Sequence, residues 1–81
     1  MSEIYMIYVK KNSSDAVFDY KTTVNSWKEC IERLEMFAKD YKAVSFLNIV
    51  EGGQVYGRTF YFNGLGDNQV VYKVTGGTIK L

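Results

Sequence analysis

The chain holds one stretch with the apolar spacing of an amphipathic helix, "SWKECIERLEMFAKDYK", from about Ser26 to Lys42. Apolar residues recur there at intervals of three and four, so they share one face of a helix, while charged residues fill the other face. Ser26, followed three residues later by Glu29, is a capping-box pattern that predicts where the helix begins. Because the rest of the chain reads as strand, this single helix must cover a sheet.

Short runs of apolar and β-branched residues, separated by turn residues, predict strands on both sides of the helix. Two precede it, at residues 3–11 and 16–24, and three follow, at 44–51, 54–62 and 69–74. Gly52 and Gly53 suit the positive φ values of a two-residue hairpin turn. Whether "TIKL" at residues 78–81 adds a short sixth strand stays open. We predict one domain, residues 1–81, of class α+β: a two-layer fold in which one helix packs on a four- to six-stranded antiparallel or mixed sheet, in the order ββαβββ.

The first half of this order, a hairpin leading into a helix, resembles the start of β-grasp domains such as the ubiquitin-like and immunoglobulin-binding domains. The resemblance covers about half of the chain and makes a β-grasp-like fold an expectation. It implies that the N-terminal and C-terminal strands pair in the middle of the sheet, whereas a plain meander would contradict it.

Composition limits the classes of function. The formal net charge is +1, so no strong overall field attracts the chain to nucleic acid. No run of 18 apolar residues and no signal-peptide pattern is present, so we expect a cytoplasmic protein without a membrane partner. The single cysteine, Cys30, agrees with a reducing compartment.

The residues of common catalytic and metal sites are scarce. The chain has no histidine, and Cys30 lies on the apolar face of the predicted helix, where it is expected to be a small buried hydrophobe. "GLG" at Gly64 to Gly66 precedes a strand and not a helix, so it predicts a turn and not a phosphate cradle. We expect no enzymatic activity, no metal and no cofactor.

The stretch "GRTFYFNGLG" places an arginine among aromatic residues on one strand. Side chains alternate along a strand, so four of these share one face: Tyr56, Arg58, Phe60 and Phe62. They either line the helix side, with Arg58 at the rim, or stand on the open side of the sheet. The bulky helix residues pack best against small groups such as Gly57 and Thr59, which favours the open side.

Tyrosine, phenylalanine and arginine are enriched in the centres of protein interfaces. The leading hypothesis is therefore a non-catalytic protein-interaction module, in which the partner-binding residues are Tyr56, Arg58, Phe60, Phe62 and Lys73. A second hypothesis is a single-stranded RNA binder using the same face, because exposed aromatics with flanking basic residues resemble RNA-recognition sheets. A third is a structural homodimer, and strand addition at the edge left by "TIKL" is a further mode of binding.

Residue types with AT-rich codons are in excess: Phe, Tyr, Met, Ile, Asn and Lys total 33 residues, against 12 for Gly, Ala, Arg and Pro. In a small domain without an enzyme signature, this bias resembles the accessory proteins of AT-rich phages. The resemblance implies an inhibitor that binds a host defence or toxin protein in the host cytoplasm.

Overall fold

The computed structural model describes residues 4–11, 17–66 and 68–76. These residues form one helix and five strands: β1 (Tyr5–Lys10), β2 (Asp19–Val24), α1 (Trp27–Phe37), β3 (Lys42–Glu51), β4 (Gln54–Asn63) and β5 (Gln69–Thr75). The prediction of a small α+β domain with one helix on an antiparallel sheet is confirmed. The segment "TIKL", for which the sequence left open a sixth strand and an edge for strand addition, lies outside the described residues.

The five strands form a single sheet in the order β2-β1-β5-β4-β3, and every neighbouring pair is antiparallel. The first and last strands, β1 and β5, therefore pair in the middle of the sheet, as the β-grasp resemblance implies. The three strands after the helix form a meander among themselves, but the sheet as a whole is not a plain meander, because β1 pairs with β5. The two edges of the described sheet are β2 and β3.

The helix begins where the capping pattern predicts. Ser26 has extended backbone dihedrals, and its Oγ accepts a hydrogen bond of 3.1 Å from the backbone N–H of Glu29. The Glu29 carboxylate accepts in return from the backbone N–H of Asn25, at 3.4 Å. Two amides at the start of the helix are thereby satisfied.

The helix ends at Phe37, earlier than the predicted Lys42. The backbone N–H of Ala38 still donates to the carbonyl of Leu34 at 2.9 Å, but Ala38 leaves the helical conformation. The next residues turn the chain, because β3 must begin at Lys42. In the sequence, apolar residues keep the helical spacing as far as Tyr41, but the helix itself stops before the turn that follows Phe37.

The core lies between α1 and the middle strands. The residues clustered there are Tyr5, Ile7, Val24, Cys30, Leu34, Ala38, Val70, Tyr72 and Val74. An 11-residue helix is about 16 Å long, whereas five strands span about 19 Å across a sheet. The helix lies nearest β1 and β2, its aromatic rings reach Tyr72 on β5 and Phe60 on β4, and eight of the ten residues of β3 are left exposed.

Candidate protein-docking site

The aromatic strand β4 faces the helix. Residues directly opposite each other in antiparallel strands point to the same face of the sheet. The register places three predicted site residues opposite buried residues of the core: Arg58 opposite Val74, Phe60 opposite Tyr72, and Phe62 opposite Val70. The placement of these three on the open side is therefore wrong, and the alternative, with Arg58 at the rim, is confirmed.

Aromatic residues of the helix pack against aromatic residues of the sheet, and not against the small ones. The ring centroids of Trp27 and Phe60 are 6.3 Å apart, and Phe37 stacks on Tyr72 at 6.1 Å. Gly57 points to the other face, where a Cβ atom would lie 2.5 Å from the carbonyl oxygen of Val74. Gly57 allows β4 and β5 to pack closely and does not make room for the helix. Matching large helix residues to small sheet residues therefore predicted the wrong face.

Lys73 lies on the face opposite the helix. It pairs with Tyr8 on β1 and with Thr59 on β4, and its Nζ lies 5.0 Å from the ring centroid of Tyr8 and 4.7 Å from that of Phe18. Lys10 Nζ also lies over Phe18, at 4.5 Å. These four residues, Tyr8, Lys10, Phe18 and Lys73, are called the lysine–aromatic face. The sheet therefore separates Lys73 from the other predicted site residues.

The guanidinium of Arg58 is held between two aromatic rings. Its Cζ lies 4.2 Å from the ring centroid of Phe46 and 5.5 Å from that of Trp27. Its Nε donates a hydrogen bond of 2.8 Å to Oδ1 of Asn48, the residue directly across on β3. We call Trp27, Phe46, Asn48 and Arg58 the Arg58 cluster. Cation–π contacts of this kind contribute about 0.5–1 kcal/mol each at exposed sites, so the cluster fixes the direction of the guanidinium.

Apolar side chains line the edge of the sheet beside this cluster on both faces: Phe46 and Val50 lie on the helix side, whereas Leu47, opposite Thr59, lies on the other side. Each is 49–61% exposed, and together they form the β3 edge patch: Val44, Phe46, Leu47, Val50 and Tyr56. Tyr56 lies at a shift in the β3–β4 register, between residues that pair with Ile49 and Val50. The patch follows the free edge of β3, because this strand pairs only with β4 in the described sheet.

Tyr56 and Arg58 therefore lie two residues apart on β4, the strand next to β3, whereas Phe60 and Phe62 are covered in part by other rings. Sequence reasoning missed Trp27, Phe46 and Asn48. The hairpin across Gly52 and Gly53 predicts that Phe46 and Asn48 lie beside the aromatic strand, but not that they share a face with Arg58, which depends on the register shift.

The described residues hold little that resembles a reaction centre. Cys30 is fully buried, and burial raises the pKa of its thiol to about 11, which keeps it protonated near neutral pH. Its predicted role as a small buried hydrophobe is confirmed. Within the described ranges, no three or more His, Cys, Asp or Glu side chains are grouped as a metal site. A shallow depression of about 240 Å³ lies between Tyr41 and the Gly64–Gly66 turn, which has the turn conformation predicted for it.

No helix in the described part of the chain is long and apolar enough to cross a membrane. No protein-family model matches the sequence, and neither a curated protein nor a solved structure is significantly similar to it. The assignment of function therefore depends on the geometry of the chain itself.

Proposed function

We propose that this chain is a non-catalytic protein-interaction module, which binds a partner protein through the Arg58 cluster and the β3 edge patch. One observation carries the proposal: a ten-residue edge strand with exposed apolar side chains lies beside an arginine held between two aromatic rings.

Two physical arguments support this surface as a binding site. Long apolar edge strands pair readily with other chains, and natural proteins block them with charges, prolines or a covering element. The interior of β3, from Ala43 to Val50, has no charge and no proline. Arginine, tryptophan and tyrosine are also the residues that most often dominate the energy of an interface.

The narrower function is a phage-type accessory protein that inhibits a host defence or toxin protein by binding it. The composition supports it, and steric blocking would need no catalytic group. The partner would then lie in the host cytoplasm. A second copy of the chain is the competing occupant of the same edge.

The test is affinity capture from cells that express the chain naturally, followed by titration of the captured protein in purified form. Leu47→Lys places a charge in the β3 edge patch, and Met36→Lys is the matched control because Met36 is similarly exposed, on the helix (61% and 65%). We expect Leu47→Lys to weaken binding by at least tenfold and Met36→Lys to leave it unchanged. Equal binding by both variants, or no saturable partner at all, would contradict the proposal.

A second candidate function, single-stranded RNA binding, is favoured by the lysine–aromatic face, where two lysines lie over Tyr8 and Phe18. The test is fluorescence anisotropy of a labelled oligouridine at 50 and 200 mM salt. RNA binding predicts an affinity that falls with salt and is weakened by Lys73→Gln, with the helix variant Lys28→Gln as control. Weak binding that both variants retain equally would reject this candidate.

For the fold, we propose that the ββα start is β-grasp-like. The β1–β2 hairpin leads directly into α1, and β1 lies beside β5 in the middle of the sheet. The meander of β3, β4 and β5 then completes the sheet on one side. A solution structure in which β1 and β5 do not pair would contradict this proposal.

A further inference from the structure

The guanidinium of Arg58 is held by one hydrogen bond and two ring contacts. The guanidinium carries five N–H donors, and Asn48 takes only the one on Nε. Among the described residues, no carboxylate lies within ion-pair distance of Arg58, whereas Arg33 on the helix has Glu29 at 3.8 Å. The two terminal nitrogens, which form the end of the guanidinium fork, are left for a ligand from outside.

The guanidinium of Arg58, which belongs to β4, contacts two side chains of the edge strand. Its Cζ is 4.2 Å from the ring centroid of Phe46, and its Nε contacts Asn48, and both of these residues belong to β3. A strand added alongside β3 would lie about 4.8 Å beyond it. A carboxylate on that strand, on the helix side of the sheet, would therefore come within reach of the terminal nitrogens.

From these two observations we infer that the partner supplies an extended segment that pairs with β3 and places an aspartate or glutamate on Arg58. The inference rests on the proposed function and names the chemistry of the partner. Apolar residues of the segment would cover the β3 edge patch. The carboxylate would bind the planar fork through two parallel hydrogen bonds, an arrangement that arginine supports and lysine does not.

A second copy of the chain does not supply this carboxylate from its own β3. The described β3 residues on the helix side opposite β4 include Phe46, Asn48 and Val50, and none is acidic. Glu51 at the end of the strand pairs with Gln54 and falls on the other face by the alternation of the strand. Pairing of two β3 strands would cover apolar surface and leave Arg58 without an anion, so charge complementarity favours a different, acidic partner.

The experiment is selection of displayed random octapeptides on the folded wild-type chain. We expect enrichment of sequences with one acidic residue at a fixed position among β-branched and aromatic residues. An enriched peptide is then synthesised with its acidic residue and with the matching amide, Glu→Gln or Asp→Asn. Because hydrogen bonds to charged groups contribute more than neutral ones, we expect the amide twin to bind at least tenfold more weakly.

Two variants of the protein test whether Arg58 is the residue that recognises the acidic side chain. Arg58→Gln should bind both peptides equally, and Arg58→Lys should keep only part of the preference. The peptide pair needs no change in the protein, so the test stands even if an Arg58 variant unfolds. Peptides enriched without an acidic residue, or twins that differ by less than threefold, would overturn the inference and leave β3 as a protein-binding edge. If no peptide with β-forming residues is enriched, β3 does not bind an extended segment. That result would overturn both the inference and the docking of peptides at β3.

Discussion

At the scale of single side chains, Phe60 belongs to the packed interior more than to the docking surface. Its ring contacts Trp27 on the helix and Phe46 on the edge strand, with centroids 6.3 and 6.2 Å away. It therefore supports the ring pair that holds Arg58, and it is itself only partly accessible. The sequence predicted that Phe60 and Arg58 share a face, but size matching favoured the open side of the sheet, which is wrong.

Phe60→Ala should lower the free energy of unfolding by about 3 kcal/mol, because it removes a large aromatic group from a packed position. Urea denaturation followed by circular dichroism measures this. Leu65→Ala, at a site that is 87% exposed, is the control and should change stability by less than about 0.5 kcal/mol. A loss at Phe60 as small as the loss at Leu65 would show that Phe60 is not part of the core.

Ionisation of the Cys30 thiol lowers the free energy of unfolding at alkaline pH. Burial raises the pKa of its thiol from 9.0 to about 11, so between these values the unfolded chain releases the proton and the native chain retains it. The contribution of Cys30 is therefore complete below about pH 9 and is lost as the pH rises towards 11.

The measurement is the free energy of unfolding of the wild type and of Cys30→Ala at pH 8 and pH 10.5. We expect the wild type to lose more stability over this interval than the variant does. All other ionisable groups are the same in both proteins, so their effect cancels in the comparison. Parallel pH profiles would contradict a raised thiol pKa.

At the scale of elements, the strand register explains what the sequence could not predict. A regular hairpin across Gly52 and Gly53 pairs Glu51 with Gln54 and would bring Asn48 opposite Gly57. The register shifts near Val50, and Asn48 lies opposite Arg58 instead. A one-residue bulge has no clear signature in a single sequence, so the contact between Asn48 and Arg58 could not be predicted, although the hairpin itself could.

The start of α1 was predictable because it depends on local chemistry. Ser26→Ala should lower the free energy of unfolding by about 1 kcal/mol, since the amide of Glu29 then loses its acceptor. Ser26→Asp, which retains an acceptor, is the matched control and should be close to the wild type in thermal denaturation. Equal losses in both variants would mean that the cap does not stabilise the helix.

Gly57 tests the close pairing of β4 and β5. A Cβ atom there would lie 2.5 Å from the carbonyl oxygen of Val74, and a backbone atom cannot move aside as a flexible side chain can. Gly57→Ala should therefore destabilise the fold by about 1–3 kcal/mol, the usual range for overpacking. Thr59→Ala on the same face is the control in the same denaturation series, and a Gly57 variant as stable as that control would contradict the register.

At the scale of the whole molecule, the helix is too short to cover the sheet. Apolar periodicity and turn residues predicted one helix on a sheet, and a single helix covers only part of a sheet. They did not predict which strand is left uncovered. That depends on the strand order β2-β1-β5-β4-β3, which places the third strand of the sequence at an edge. The exposed residues of β3 follow from that topology and from the position of α1, which lies nearest β1 and β2, away from the β3 edge.

The proposed function requires that the edge of β3 is open to a different protein. The most direct test is the mass of the free chain in solution, because a dimer would show that a second copy occupies β3. Light scattering during size exclusion measures this mass from 10 to 500 µM. The account predicts a monomer of 9.3 kDa over the whole range. A stable species of twice that mass, reduced to the monomer by Leu47→Lys and unaffected by Met36→Lys, would contradict it by showing that β3 pairs with itself.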